Sequence, residues 1–242
     1  MMRYIIELAY NGSDFHGWQR QLNALTVQET IENAMNTLLG EKIEIAGCGR
    51  TDTGVHAKSF TAHFDSNSDI NTDEFCAKLN SILCKNIVIY KLKKTNLDFH
   101  ARFSAKKRTY EYYISTKKDP FDYNYSWQLF YDLDIEKMKK ASQKLYDYTD
   151  FTSFSKLHTD VKTNNCKIFN AELKQKKDKI IFVISADRFL RNMVRAIVGT
   201  LVDVGRGKLT VKEFCEIIEK KDRSLAKQSA PAQGLFLVNV EY

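Results

Sequence analysis

The chain has 242 residues, 43% of them hydrophobic, and a formal net charge of +7 at pH 7. This length and apolar fraction suffice to bury one large core or two modest cores that share an interface, and we expect two halves. Charge appears too early in residues 1–7 for a signal peptide, and no run approaches the roughly 20 apolar residues of a membrane span. We therefore expect a cytoplasmic protein with no membrane partner.

The first half reads as strand, helix, strand, strand, helix, strand. Its predicted elements are a strand over 3–10, a helix between Thr26 and Gly40, strands over 42–48 and 59–65, a helix capped by Asn71 or Thr72, and a strand over 86–92. Thr26 with Glu29 fits a capping box. This order is typical of the split βαβ arrangement, an antiparallel-rich sheet with two helices on one face.

The second half has similar ingredients without a residue-level repeat. Its predicted elements are strands over 108–115, 167–173, 180–185 and 235–240, and helices over 135–146, 189–204 and after the Thr210–Glu213 capping box. The helix over 189–204 is apolar nearly all round, which predicts burial between layers. The predicted fold class is α+β, with ferredoxin-like halves over 1–104 and 105–242, mainly antiparallel sheets side by side and a central cleft.

Basic residues concentrate in one segment. Residues 85–120 hold ten Lys and Arg against three acids, whereas the rest of the chain balances at 27 and 27. Six aromatic residues share the segment, and basic residues interleaved with aromatic rings can contact phosphates and unstacked bases. A solvated face rich in strands is an equally good explanation of the charge alone.

Metal and nucleotide sites are not indicated. The five cysteines form no CxxC pair, and their odd number argues against a disulfide framework. No glycine-rich lysine loop is present, and the histidines do not fall into metal-ligand spacings. The sequence predicts no metal and no bound nucleotide. The histidines are His16, His56, His63, His100 and His158.

The glycine-rich stretch over 47–57 stands between two predicted strands and carries Asp52. Asp-Thr-Gly also occurs in aspartic proteases, but those need two such carboxylates and this chain has one copy. A carboxylate beside an arginine is either a structural ion pair or a catalyst, and Arg195 on the apolar helix is the candidate partner. His56 is either a backbone-bonded turn residue, which we favour, or a substrate contact.

The loop over 13–25 combines polar and aromatic residues. Two interpretations are open from the residues alone: the loop contacts a ligand, or Trp18 in the loop covers the core.

Five ordered blocks resemble the tRNA pseudouridine synthase A family and cover nearly the whole chain. They are GRTDTGVHA over 49–57, FHARFSA over 99–105 leading to RTY over 108–110, FTSF over 151–154, FLRNMVR over 189–195 with VGTL over 198–201, and APAQGL over 230–235. One departure is Thr53, where many members have alanine.

The resemblance implies that Asp52 is the nucleophile, that Tyr110 stacks on the target base and acts in proton transfer, and that Arg195 pairs with Asp52. It further implies a cofactor-independent isomerase of the pseudouridine synthase fold, acting on uridines at tRNA positions 38–40 in the anticodon arm, as a homodimer. Residues expected to bind tRNA are Arg50, Arg102, Lys106, Lys107, Tyr110 and Arg191. A noncatalytic tRNA-binding protein or tRNA-folding chaperone on the same fold is the alternative. The sequence does not choose between attack at C6, attack at C1′ and a glycal route.

Overall fold

A computed structural model describes residues 1–156 and 163–242, so His158 lies outside the described residues. The chain divides into two compact units. The first comprises Met1–Lys106 with Leu237–Tyr242, and the second comprises Lys107–Phe236. The C-terminal strand therefore begins in the second unit and continues in the first.

The first unit has the split βαβ order that the sequence predicts. Its elements are β1 (Met2–Tyr10), α1 (Val27–Leu39), β2 (Ile45–Gly47), β3 (His56–Ser66), α2 (Thr72–Ile82) and β4 (Ile87–Thr95). The strands run in the order β4, β1, β3, with β2 also paired to β3, and these pairs are antiparallel. The predicted α+β class with mainly antiparallel sheets is confirmed.

Side-chain alternation along β1 separates a core face from an open face. Tyr4, Ile6 and Leu8 are buried on the core side, where the Tyr4 hydroxyl accepts a hydrogen bond from the Ile70 backbone just before α2. The apolar faces of both helices complete this core with the buried side chains of Val27, Ile31, Met35, Phe75 and Leu79.

Strand β2 is shorter than the predicted 42–48 because side chains of α1 accept hydrogen bonds from the backbone amides at its start. The Ile43 amide donates to the Asn36 side chain at 2.7 Å, and the Ile45 amide donates to the buried Glu32 carboxylate at 2.9 Å. These residues are tied to the helix, so the ladder with β3 starts only at Ile45.

The second unit contains β5 (Lys107–Ser115), β6 (Trp127–Gln128), α3 (Ile135–Gln143), β7 (Ile168–Lys176), β8 (Lys179–Ala186), α4 (Met193–Gly205) and α5 (Val211–Glu219), followed by β9 (Leu235–Glu241). Strands β5, β8 and β7 are neighbours in that order, with antiparallel pairs. Helix α4 is buried along most of its length, as its apolar sequence predicts.

Helix α4 starts at Met193, four residues later than the predicted 189. Asn192 adopts a left-handed conformation with φ of 67°, and its amide donates to the Ser229 hydroxyl at 2.6 Å. The preceding residues therefore form a turn, which puts Arg191 before the helix and Arg195 on its first turn. No helix in the described ranges is long and apolar enough to cross a membrane.

Candidate functional site

Asp52 lies in the turn between β2 and β3 and is half-buried. Gly54 gives the turn its left-handed residue with φ of 77°, and the Val55 amide donates to the Asp52 carbonyl at 3.1 Å. The Thr51 hydroxyl lies 2.9 Å from the Tyr10 hydroxyl at the end of β1. The backbone on both sides of the carboxylate is therefore fixed.

The loop over 13–25 supports this turn from outside. Gly17 has φ of 87°, and a Cβ at that position would stand 2.3 Å from the Thr51 carbonyl oxygen. The Gly54 amide donates to the Phe15 carbonyl at 3.3 Å. Only glycine permits this approach, which fixes the distance between loop and turn.

Trp18 covers the core. Its side chain is buried, and its ring stacks on Phe60 with centroids 4.1 Å apart. A Cβ on Gly47 would lie 2.6 Å from the indole, so glycine is needed beneath the ring. The interpretation of Trp18 as a core residue therefore holds, whereas most of the remaining loop residues, among them His16 and Arg20, are exposed.

His56 has the structural role that the sequence analysis favours. The ring is buried, and its Nδ1 accepts a hydrogen bond from the Gly12 amide at 3.1 Å. A Cβ on Gly12 would stand 2.0 Å from the Val55 carbonyl oxygen, which makes this a second close backbone approach. His56 thus joins the end of the Asp52 turn to the segment after β1.

In the second unit, Tyr110 lies on β5 opposite Ile184 of β8 and is half-buried. Its ring meets Phe189 edge-on, with centroids 5.1 Å apart and the planes at 90°. Phe189 begins the turn that leads into α4, so the segment that carries Arg191 and Arg195 also orients the Tyr110 ring.

Arg195 is half-buried and forms a reciprocal pair of bonds with Ala230. Its Nε donates to the Ala230 carbonyl at 2.7 Å, and the Ala230 amide donates to the Arg195 carbonyl at 2.9 Å. The next carbonyl, of Pro231, accepts from the Tyr112 hydroxyl at 2.8 Å. Because Nε is held by a backbone carbonyl, the direction of the guanidinium is set by the 230–231 segment.

Tyr112, one of the six aromatic residues of the basic segment, has a structural role that the sequence did not reveal. It is fully buried, and burial raises the pKa of its phenol well above the usual range, so it stays neutral and donates to Pro231. A Cβ on Gly234 would stand 2.7 Å from its ring. Gly234 of the APAQGL block was the signal in the sequence, because a glycine there indicates that another group packs closely against the backbone.

The structure divides the predicted site residues between the units. The first unit carries Asp52, Arg50, Arg102 and Lys106, and the second carries Tyr110, Lys107, Arg191 and Arg195. Arg50, Arg102, Lys106 and Arg191 are exposed, and the Arg102 guanidinium lies 5.5 Å from the centre of the Phe103 ring. Within the described part of the chain, no cluster of three or more His, Cys, Asp or Glu side chains has the arrangement of a metal site.

A family model described as tRNA pseudouridine synthase matches residues 8–104 and 141–242. With the antiparallel α+β units and an acid on a fixed turn, this match defines the class of the protein as a pseudouridine synthase, which is an isomerase.

Relatives named tRNA pseudouridine synthase A extend over the full chain. The protein of Parabacteroides distasonis is 54% identical over 243 residues, covering 100% of this chain and 96% of the relative. The proteins of Bacteroides fragilis and Bacteroides thetaiotaomicron are 52% and 51% identical, again over 100% of this chain, and 97% and 91% of theirs. The chain belongs to the tRNA pseudouridine synthase family.

Proposed function

We propose that this protein converts uridine to pseudouridine in the anticodon arm of tRNA, with Asp52 as the nucleophile. The observation that carries the proposal is the fixed Asp52 turn, held by close backbone approaches from Gly17 and Gly12 in a chain of this family. A reacting group must be held in place to gain from proximity, and a turn locked on both sides meets that need.

The reaction breaks the glycosidic bond between N1 and C1′, turns the detached uracil, and joins its C5 to C1′; C5 then loses its proton and N1 gains one, so the atoms balance. The isomerisation involves no net oxidation or reduction. A single carboxylate therefore suffices as the covalent or proton-transferring group. Asp52 is half-buried, an environment that limits solvation of the carboxylate. Attack at C6, attack at C1′ and the glycal route all begin from this group.

Arg195 and Tyr110 have the partner roles in the proposal. Arg195 would attract the Asp52 carboxylate as its ion-pair partner, and its Nε bond to the Ala230 carbonyl keeps the guanidinium from rotating. Tyr110 would stack on the target base, and the edge-on contact with Phe189 fixes the angle of its ring. The target uridine must leave its stack to reach these groups.

The partners follow from the substrate. The exposed Arg50, Arg102, Lys106 and Arg191, together with Lys107, supply cations for tRNA phosphates. We further infer a homodimer whose two subunits share the tRNA surface, and a cytoplasmic location, where tRNA is matured.

The test is to incubate the purified protein with an unmodified tRNA transcript and to map pseudouridine by chemical adduct formation and primer extension. We expect adducts confined to the anticodon arm. Tight, salt-sensitive binding without any adduct would overturn the enzyme and favour the noncatalytic tRNA-binding protein or chaperone.

A further inference from the structure

The sheet of the first unit has an open face opposite its two helices. Ile5 and Glu7 of β1 point to this side, because they alternate with the core residues Tyr4, Ile6 and Leu8. Their neighbours across the ladders are Lys93 and Lys91 of β4. Ile5 is itself buried, so the accessible part of this face beside it is formed by Glu7 and by cations from the basic segment.

A hollow of about 340 Å³ lies on this face. Three aromatic rings line it, those of Tyr90, Phe99 and Tyr242, and Ser59, Thr61 and Asn239 add polar groups. The Phe99 and Tyr242 rings are 5.0 Å apart between centroids at 48°, and Tyr90 is 63% exposed. The volume lies within the range of small-ligand sites, and open rings offer stacking area for a planar base.

Cations stand at the same hollow. Lys58 and Lys93 line it, and the Lys93 ammonium lies 3.3 Å from the Glu7 carboxylate, which also lines it. A phosphate would meet the two ammonium groups, while the Glu7 oxygen can accept from a base N–H. Lys94 is the next residue on β4, and its ladder partner is Tyr4, whose side chain faces the core. Its ammonium lies 3.0 Å from the Asp69 carboxylate, so Lys94 is on the side of the sheet away from the hollow.

The wall of the hollow is preorganised. Arg3 donates to both Asp65 oxygens, at 2.7 and 2.8 Å, and to the Phe99 carbonyl at 2.9 Å. Tyr242 in turn donates from its hydroxyl to the Ala101 carbonyl at 2.9 Å. Phe99 is thus tied to β1 and Tyr242 to the segment that follows β4, so a ligand that stacks on them does not have to order them first.

We propose that this hollow binds one unpaired nucleotide of the tRNA substrate, with its base among Tyr90, Phe99 and Tyr242 and its phosphate at Lys58 and Lys93. The inference rests on the proposed function, since it takes RNA as the ligand. Strand β3 runs directly from the Asp52 turn to Lys58, Ser59 and Thr61, so a strand of RNA that reaches Asp52 can continue along the same unit.

The test uses equilibrium binding of an unmodified tRNA transcript to proteins that also carry Asp52→Asn, so that turnover does not interfere. Tyr90→Ala should raise Kd about fivefold or more, because stacking on one ring is lost, whereas Tyr90→Phe keeps the ring and should retain the affinity. Lys93→Gln should reduce the salt slope by about 1. Lys94→Gln removes the same charge from the opposite side and should change Kd less than twofold.

Irradiation of the complex at 254 nm, followed by mass spectrometry, should place a nucleotide adduct on a peptide that contains Tyr90, Phe99 or Tyr242. An unchanged Kd for Tyr90→Ala, or equal losses for Lys93→Gln and Lys94→Gln, would overturn the proposal, as would adducts confined to other peptides. If wild-type protein forms pseudouridine while Tyr90→Ala binds normally, only the hollow's role fails. If no pseudouridine forms but the adduct is found, the enzyme proposal fails and the nucleotide site stands.

Discussion

At the scale of single residues, burial decides the state of His63. The ring lies on β3 beside His100, and its Nδ1 accepts from the Ala101 amide at 3.2 Å. Burial, followed by the charge of His100 and of Arg3, lowers its pKa to about 4. The folded protein therefore keeps a neutral imidazole that the unfolded chain protonates near pH 6.5.

The consequence is a loss of stability on acidification. Between pH 6.5 and about 4 the unfolded state binds a proton that the folded state does not, so the free energy of unfolding falls as the pH falls through this window. We expect a loss on the order of 2 kcal/mol from this group. Urea unfolding at pH 7, 5 and 4 measures it.

His63→Asn provides the comparison, because its side-chain oxygen can still accept from Ala101 without titrating. The variant should lose less stability than the wild type between pH 7 and 4, although both share the carboxylates that titrate in this range. Parallel pH dependence in the two proteins would contradict the assignment.

At the scale of elements, the loop over 13–25 contacts the Asp52 turn at several points, and Gly17 makes the closest approach. Gly17→Ala combines a left-handed conformation with a Cβ that would lie 2.3 Å from the Thr51 carbonyl. The conformation alone costs roughly 1–2 kcal/mol, and relief of the overlap must move the loop or the turn. We expect lower stability together with a lower rate of pseudouridine formation, measured by urea unfolding and by single turnover.

Gly40→Ala is the matched control, because Gly40 has φ of 66° at the end of α1 and no atom within 4 Å of a built Cβ. Gly40→Ala should lose a similar amount of stability from the left-handed conformation and keep the rate of pseudouridine formation. If both variants lose stability equally and turn over equally, the loop does not hold the turn.

The same elements show what a sequence can predict. The α5 capping box is local, and both of its hydrogen bonds form as Thr210 and Glu213 predict. The starts of β2 and α4 depend on hydrogen bonds to residues distant in sequence, from Ile45 to Glu32 and from Asn192 to Ser229. The local sequence pattern therefore predicted both starts at the wrong residue. Likewise the composition of 47–57 singled out Asp52, but the approach of Gly17 needs the folded chain.

At the scale of the whole molecule, the basic segment runs through the end of one unit and the start of the next. Lys106 is the last residue of the first unit before β9 returns, and Lys107 is the first of the second. Replacing both by Gln should weaken tRNA binding and lower its salt slope by about 1 to 2, with little change in the rate at saturating tRNA. Filter binding across a salt series measures this.

Lys137 and Lys139 on α3 provide a control pair, because their side chains are 56% and 40% exposed and pair with the N-cap Asp134 and with Glu136 at the start of the helix. Their double Gln variant makes the same change in net charge. An identical drop in salt slope for the two double variants would show that only net charge matters, and would remove Lys106 and Lys107 from the tRNA surface.

The central claim is that Asp52 is the nucleophile of a tRNA uridine isomerase, and one replacement tests it. Asp52→Asn keeps the shape of the side chain but removes its charge, and Asp178→Asn makes the same change in the exposed hairpin between β7 and β8. In single-turnover assays on an unmodified tRNA transcript, we expect Asp52→Asn to form no pseudouridine while its Kd stays within a few-fold of wild type, and Asp178→Asn to react normally. Substantial pseudouridine formation by a purified Asp52→Asn protein would contradict the account.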